Sequence, residues 1–360
     1  MKYLKFFLKL SLFLPIALCA MAFSYKVDPS GLFWGSGFER YASELMLEGN
    51  YIDGYERLDG RKLNEVYAKN VPYAPEVLVN GSSRSMLITK DYAGGKTFYN
   101  ARNVGADMYD LYTSYYIFEK ENKTPEIFVI GLDPWVFGEH NDKRSNKELC
   151  NEFFGEELGI ELGEYEEVNK YDKYLALIDP SYFQAAVKYS KRDKSDDPVP
   201  QTVPTDLIYE TDTVIKAPDG SIVYDKGFRE RNQRYADEEA MAVSNMHFYL
   251  IGEVSEIDSE KAKYFETFIE YLQAKGVKII FYLPPYHPTL YELEMVYINE
   301  SGASNSYEVI ETYLRETAEK YGITVYGSYD PNNLGLTNRD FYDGLHVRSE
   351  SLSKILPVFN

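Results

Sequence analysis

Short apolar runs alternate with longer amphipathic segments along much of the chain. The apolar runs have the length and composition of buried strands, and we predict five of them, at residues 76–80, 97–100, 126–131, 278–283 and 323–326. Apolar residues at helical spacing predict helices at residues 106–119, 259–275 and 307–321. Strands that alternate with helices are typical of a doubly wound parallel sheet. We therefore expect an α/β fold with five parallel strands.

The stretch between the third and fourth predicted strands is too long for a simple crossover. It contains helical segments and one hairpin signal, in which residues 214–216 and 222–224 flank the turn sequence Ala217-Pro218-Asp219-Gly220. We therefore expect a main domain over residues 73–360, with a cap subdomain inserted at about 135–255 and placed over the carboxyl edge of the sheet.

The first 23 residues have the pattern of an export signal. Lys2, Lys5 and Lys9 precede an apolar run over residues 10–23, and a basic segment before an apolar one directs a chain to the membrane. Ala20-Met21-Ala22 offers a cleavage site, so a cleaved signal and an uncleaved anchor both stay open. In either case the lysines remain inside and the chain beyond them lies outside. Residues 24–72 then form a juxtamembrane segment.

Composition excludes several classes of function. The hydrophobic content of 44% and the charged content of 26% are those of a folded domain. The formal net charge of −19 argues against binding to nucleic acid, which needs clustered cations. Beyond the signal Cys150 is the only cysteine, so no internal disulfide is expected there. Metal-ligand spacing is absent from the histidines, and we expect neither a metal nor another cofactor; the four are His140, His247, His287 and His346.

Polar residues follow the predicted strands at their carboxyl ends. In an open α/β sheet, ligands bind beyond this edge, so these segments are the candidates for a functional site. They read Gly81-Ser82-Ser83-Arg84, Asn103-Val104-Gly105, Gly131-Leu132-Asp133-Pro134-Trp135, Pro284-Pro285-Tyr286-His287-Pro288 and, near the C-terminus, Asp340-Phe341-Tyr342-Asp343-Gly344-Leu345-His346.

This ordered set resembles the SGNH (GDSL-type) hydrolase superfamily, and within it the membrane-anchored proteins that transfer D-alanine to teichoic acid or acetylate alginate. Gly81-Ser82-Ser83 is similar to the family's Gly-Asp-Ser block, and the family's Asp-x-x-His block is matched by Asp343 and His346. The resemblance implies a flavodoxin-like three-layer fold, with Ser83 as nucleophile and a backbone N–H of Gly105 in the oxyanion hole. It covers residues 73–135 and 275–350 and leaves the cap without an account.

The residue types suit acyl-ester chemistry. A serine hydroxyl becomes a good nucleophile when a base takes its proton, and His346 can do so near neutral pH. Asp343 can orient the imidazole and stabilise its charged form. Arg84, Trp135 and His287 are candidates for substrate binding. Two of these residues also have a structural alternative: a surface ion pair for Arg84 and a plain loop position for His287.

One block departs from the family pattern. The family has Gly-x-Asn, whose amide completes the oxyanion hole, whereas this chain has Gly131-Leu132-Asp133. A carboxylate there would repel an oxyanion unless it is protonated or turned away. Either another donor replaces the amide (the Trp135 N–H or Arg84), or activity is weak, or Asp133 binds something else.

Two functions follow from these residues. The first is an extracytoplasmic esterase or O-acyltransferase that acts on a cell-surface polysaccharide or teichoic-acid-like polymer, with a membrane acyl-transfer protein as a partner. The second is a non-catalytic scaffold or glycan-binding component of an envelope assembly, which Asp133 favours. The intact set of Ser83, Asp343 and His346 favours the enzyme.

Overall fold

The computed structural model describes residues 14–29, 33, 37–138, 147–162, 171–191, 199–245 and 254–359. The helices α1 to α11 are Leu14–Val27, Gly37–Leu47, Gly60–Asn70, Met108–Glu119, Lys147–Glu152, Pro180–Lys191, Lys226–Arg229, Gln233–Asn245, Ser259–Ala274, Pro288–Ser301 and Ser306–Tyr321. The strands β1 to β9 are Tyr51–Ile52, Val77–Asn80, Phe98–Asn100, Ile127–Gly131, Thr202–Val203, Ile215–Lys216, Ile222–Val223, Lys278–Leu283 and Thr324–Gly327.

Five strands form one parallel sheet in the order β3-β2-β4-β8-β9. Every neighbouring pair is parallel, with Leu78 opposite Tyr99 on one side of β2 and opposite Phe128 on the other. The predicted five-stranded parallel sheet is therefore confirmed. In chain order the arrangement is 2-1-3-4-5, so the strand order reverses between β2 and β4, which is where such sheets bind ligands.

Alternate residues of the central strands enter two separate cores. Leu78 and Phe128 pack with the large helical core, while their neighbours Val79 and Val129 pack into a second core. This period of two is what a strand buried on both faces produces. Helices α3, α4, α9 and α11 contribute to the first core, whereas short turns and the C-terminal segment supply most of the second. The sheet thus lies between two packed layers.

Local sequence signals explain where the main helices begin and end. Asp107 and Asp110 form a reciprocal capping box at the start of α4, which satisfies backbone N–H groups left free at a helix N-terminus. Asp258 caps α9 in a similar way through the N–H groups of the first turn. Helix α11 ends at Gly322, whose φ of 67° is the left-handed conformation that favours glycine.

A small antiparallel sheet has the order β5-β1-β6-β7, and its β6–β7 hairpin is the one expected from the sequence. The hairpin turn is attached to the edge of the large sheet, because the Asn100 N–H donates to the Asp219 carbonyl at 2.8 Å. Gly220 has a φ of +83°, and a Cβ there would lie 2.4 Å from the Asn100 carbonyl oxygen. Only glycine fits this contact without strain.

The chain divides into two compact units. One comprises Ala42–Leu162 and Gln201–Asn360 and contains both sheets; the other comprises Met1–Tyr41 and Gly163–Pro200. The expected cap, residues 135–255, is therefore shared between the units. In the smaller unit the rings of Phe23 and Phe183 lie 5.9 Å apart.

The expected export signal, residues 1–23, lies outside the described residues as far as residue 13, and α1 begins at Leu14. Within the part of the chain that the structure describes, no helix combines the length and apolar character needed to cross a bilayer.

Candidate active site

Ser83 lies at the start of a tight turn directly after β2. The chain leaves the strand at Gly81, whose φ of +135° and close approach to Gly131 (3.0 Å from an added Cβ to the Cα) require glycine. A 3₁₀ turn, Ser83–Ser85, follows, and the Ser82 hydroxyl accepts the N–H of Arg84 at its start. This geometry places Ser83 beyond the carboxyl end of β2, at the switch point of the sheet.

The structure brings Ser83, His346 and Asp343 together in one hydrogen-bonded chain. The Ser83 Oγ lies 3.0 Å from Nε2 of His346. The other ring nitrogen, Nδ1, lies 2.8 Å from Oδ2 of Asp343. Because Asp343 accepts at Nδ1, the neutral imidazole carries its proton there and Nε2 is left to accept the serine proton. These are the contacts that a Ser-His-Asp triad requires.

The loop that carries Asp343 and His346 holds the carboxylate in its ionised form. Its Oδ1 accepts the N–H groups of Leu345 and His346 at 2.7 and 2.8 Å. Burial alone would raise the pKa of Asp343, but the imidazole and these two N–H groups outweigh it and lower the pKa to about 2. The carboxylate is therefore charged throughout the pH range in which an imidazole titrates.

Arg84 and Asp133 form a buried ion pair beside the triad. Their side chains are each 1% exposed, and Nη1 lies 2.9 Å from Oδ1. The expected surface pairing of Arg84 is thus replaced by an internal one. Burial raises the pKa of Asp133, and the guanidinium and the Ser82 hydroxyl offset part of that rise. Of the alternatives for Asp133, the structure realises the one in which it binds another group.

Arg84 also donates hydrogen bonds to backbone carbonyls of neighbouring loops. Nη2 donates to the carbonyls of Pro284 and Pro285 at 2.6 Å each, and Nε donates to the carbonyl of Leu345 at 3.2 Å. The guanidinium carbon also lies 3.9 Å from the ring centroid of Tyr286. Four of its five N–H groups are thus engaged, and Arg84 joins the loops after β2, β4 and β8 to the C-terminal loop.

Trp135 and His287 are also buried, which is at odds with the expectation that they contact substrate. The Trp135 indole donates to the Ala106 carbonyl at 3.0 Å. The Nδ1 of His287 accepts the Thr289 N–H at the start of α10, and Nε2 lies 3.3 Å from Asp237. Burial lowers the pKa of His287. The Trp135 indole N–H and Nδ1 of His287 thus bind backbone groups of the segments around the site.

Gly105, the oxyanion candidate, lies in the loop after β3. That loop contacts the segment that leads from β2 to Ser83, since the Asn103 N–H donates to the Gly81 carbonyl at 3.0 Å. Gly105 has a φ of 60° and no atom within 4 Å of where a Cβ would stand. Its backbone is thus accessible beside the turn that carries Ser83.

The sequence did not single out Tyr224, which flanks His346 from the β6–β7 hairpin. The two ring centroids are 6.1 Å apart. Tyr342 packs edge-on against Tyr224 at 5.5 Å. Both tyrosines line a cavity of about 630 Å³ to which Tyr51, Tyr92 and Tyr209 also contribute. The turn sequence after residue 216 predicted the hairpin, but it did not predict that the hairpin lies beside His346.

Among the described residues, no group of three or more His, Cys, Asp and Glu side chains has the geometry of a metal site. His140 and His247 lie outside the described residues. A scan against models of protein families matches no family, and searches of curated proteins and of solved structures give no significant match. Functional inference for this chain therefore starts from the geometry of the site.

Proposed function

We propose that the chain is an SGNH-type serine esterase or O-acyltransferase that acts outside the cytoplasm on a cell-surface polysaccharide or polyol polymer. The observation that carries this proposal is the hydrogen-bonded chain from Ser83 through His346 to Asp343, at the switch point of a sheet with the order 2-1-3-4-5. The Gly-x-Ser and Asp-x-x-His blocks support the SGNH assignment, as does the flavodoxin-like strand order.

In the first half of the reaction Ser83 takes the acyl group. Its Oγ attacks the ester carbonyl carbon while the hydroxyl proton moves to Nε2 of His346, and Asp343 stabilises the resulting imidazolium. The tetrahedral intermediate carries its negative charge on the former carbonyl oxygen. Backbone N–H groups of Ser83 and Gly105 are the candidates to bind it. The carbon–oxygen bond to the alcohol then breaks, and the alcohol leaves with the proton from His346.

In the second half the acyl-enzyme is resolved by water or by a hydroxyl of the acceptor. Nε2 of His346 takes the proton of the incoming oxygen, which attacks the acyl carbonyl. The bond to Ser83 Oγ breaks as the serine regains its proton. Hydrolysis and transfer differ only in which hydroxyl arrives, so one set of residues serves both.

The rival function, a non-catalytic scaffold, drew its support from Asp133. The ion pair with Arg84 at 2.9 Å compensates the charge of that carboxylate, and the Ser82 hydroxyl forms a hydrogen bond with it. An oxyanion on Ser83 would therefore meet a compensated ion pair instead of an isolated negative charge. This arrangement removes the main objection to catalysis and favours the enzyme.

The tyrosine-lined cavity of about 630 Å³ suits a carbohydrate or polyol. Tyr224 and Tyr342, two of its five tyrosines, adjoin His346. Tyrosine offers an apolar face and a hydroxyl together. A polymer in this cavity would lie next to Tyr224, whose ring centroid is 6.1 Å from that of His346.

A fluorophosphonate probe tests the proposed chemistry. We expect the wild-type protein to be labelled at Ser83, located by mass spectrometry, and to hydrolyse p-nitrophenyl acetate. Ser83→Ala should abolish labelling and lower the turnover by at least about 10³-fold. Ser301→Ala, a change at an exposed serine of α10, should leave both unchanged. A wild-type protein that is folded yet neither labels nor turns over the ester would establish the scaffold instead.

A further inference from the structure

A second buried arginine, Arg102, lies in the loop after β3 with part of its guanidinium unmatched. The residue is 3% exposed. Its Nε and Nη2 atoms are buried and meet no hydrogen-bond acceptor among the described residues. The hydroxyl of Tyr55 is also buried and unmatched, and the Arg102 guanidinium carbon lies 5.2 Å from the centroid of that ring. Three polar atoms of one small region thus lack a protein partner.

Arg102, Tyr55 and Lys216 together line a cavity of about 300 Å³. Lys216 comes from β6 and is itself 3% exposed, with Nζ donating to the Gly220 carbonyl. Burial of the ammonium group, and then the nearby Arg102, lower the pKa of Lys216. The cavity wall therefore combines the guanidinium charge of Arg102 with the hydrogen-bond donors of the Lys216 amine, although the whole chain is acidic.

The acidic residue of the same wall, Asp59, forms no ion pair with Arg102 in the described part of the chain. Asp59 accepts the N–H groups of Arg61 and Lys62 at the start of α3. Arg61 itself is matched by Asp110, with Nε and Nη2 at 2.7 and 2.5 Å from the two carboxylate oxygens. No ion pair within the described ranges involves Arg102.

The Arg61–Asp110 pair shows which ligand the unmatched edge of Arg102 fits. Nε–H and Nη2–H point the same way and bind two oxygens of one planar or tetrahedral anion side by side. In Arg61 a carboxylate of the protein fills this edge; in Arg102 the same two atoms meet no acceptor among the described residues, and the side chain lines the cavity. A ligand with two adjacent anionic oxygens, such as a carboxylate or a phosphate, has the matching geometry.

The cavity lies beside the catalytic centre. Asn103 also lines this cavity, and its N–H donates at 3.0 Å to the carbonyl of Gly81, in the segment that leads from β2 to Ser83. A group held by Arg102 would therefore lie at the same edge of the sheet as Ser83.

We infer that Arg102, Tyr55 and Lys216 form an anion subsite for a carboxylate or phosphate group carried by the substrate polymer, next to its acyl ester. This inference rests on the proposed function and narrows its substrate to an anionic cell-surface polymer. An acidic polysaccharide and a polyol phosphate share the required oxyanion. The subsite selects substrates by charge and leaves the acyl chemistry to the triad.

Binding of inorganic phosphate and of glucuronate to the whole protein tests the subsite without turnover. We expect either anion to raise the melting temperature and to inhibit hydrolysis of p-nitrophenyl acetate. Arg102→Gln should weaken binding by about tenfold or more, because it removes charge-assisted hydrogen bonds. Tyr55→Phe, which deletes only a hydroxyl, should weaken it by about three- to tenfold. Arg234→Gln removes an exposed arginine paired with Glu238 and serves as the charge-matched control.

The outcomes separate the subsite from the proposed function. Tighter binding of glucuronate favours an acidic polysaccharide as substrate, and tighter binding of phosphate favours a polyol phosphate. Equal affinities in wild type, Arg102→Gln and Tyr55→Phe would overturn the subsite, even if Ser83 reacts with the fluorophosphonate. Anion binding that needs Arg102 in a protein that does not label at Ser83 would leave the subsite standing and overturn the proposed enzyme.

Discussion

Arg84 and Arg102 are both buried near the same triad, but their surroundings differ. Arg84 has a carboxylate and three backbone carbonyls as acceptors. Arg102 leaves Nε and Nη2 without an acceptor among the described residues. A guanidinium whose N–H groups find acceptors in the protein holds loops together. One whose N–H groups lack acceptors is suited to an external anion. Burial alone does not distinguish the two roles, but the acceptors do.

The largest effect on stability is expected where Arg84 is removed. Arg84→Met leaves Asp133 as a buried, unpaired carboxylate and frees three carbonyls, so the free energy of unfolding should fall by about 3–5 kcal/mol. Urea denaturation followed by circular dichroism measures it. The double variant Arg84→Met/Asp133→Leu should recover part of the loss, because no charge is then left unpaired. A single variant as stable as wild type would remove the contrast between the two arginines.

Glu294 on α10 has a buried carboxyl group whose Oε1 meets no hydrogen-bond donor among the described residues. It is 2% exposed, with Oε1 unmatched, and burial raises its pKa to about 7. The folded protein therefore binds this proton more tightly than the unfolded chain, and stability should fall as the pH rises from about 4.5 to about 7. Glu294→Gln should be more stable than wild type at pH 8, by at most about 3 kcal/mol, and equal at pH 4.

Unfolding experiments at both pH values test this expectation. Exposed Glu300 lies on the same helix, so Glu300→Gln is the matched control and should show no such pH dependence. An effect of Glu294→Gln that is the same at pH 4 and pH 8 would mean that the carboxyl is not the titrating group.

Gly220 tests the hairpin that forms the wall of the Arg102 cavity. Gly220→Ala puts a methyl group 2.4 Å from the Asn100 carbonyl oxygen at a φ of +83°, which should cost about 1–2 kcal/mol. Since the hairpin carries Lys216 and Tyr224, anion binding should weaken as well. Gly276→Ala has a similar φ of +78° but open space around it, so it isolates the backbone effect from the clash. Comparable anion affinity in both variants would separate the hairpin from the cavity.

The smallest effect on stability is expected at Arg102. Arg102→Met deletes a guanidinium that has few protein acceptors to lose, so in buffer free of phosphate and carboxylates its stability should lie within about 1 kcal/mol of wild type, or above it. Thermal unfolding measures the difference. A loss as large as that of Arg84→Met would show that Arg102 is also part of the structural framework.

The sequence predicted the sheet well because its strands are short apolar runs bounded by polar segments. All five predicted strands agree with the structure to within one residue at each end; the fifth, predicted at 323–326, runs Thr324–Gly327. Hydrophobic period and chain order were enough for this, since strands buried on both faces have few other ways to pack. Position after the predicted strands, together with the resemblance to the SGNH blocks, selected Ser83, Asp343 and His346, which the structure brings together.

The roles of the surrounding residues could not be predicted in this way. Arg84, Trp135 and His287 follow strands, but a residue type does not tell whether its side chain turns toward the ligand or back into the loops. Arg102 immediately precedes the segment that was singled out after β3, and its neighbour Lys216 lies more than a hundred residues away in the chain. The hairpin is attached to Asn100 and, through Ile222, to Met86, and this placement brings Arg102 and Lys216 into one cavity.

The attachment of the β6–β7 turn to Asn100 has a further consequence for the behaviour of the protein in solution. β3 is an edge strand of the large sheet, and the Asn100 N–H that donates to Asp219 belongs to that edge. Uncovered edges act as templates for pairing with another chain. A protein whose hairpin is displaced should therefore self-associate through β3, so the turn that shapes the cavity also protects the protein from aggregation.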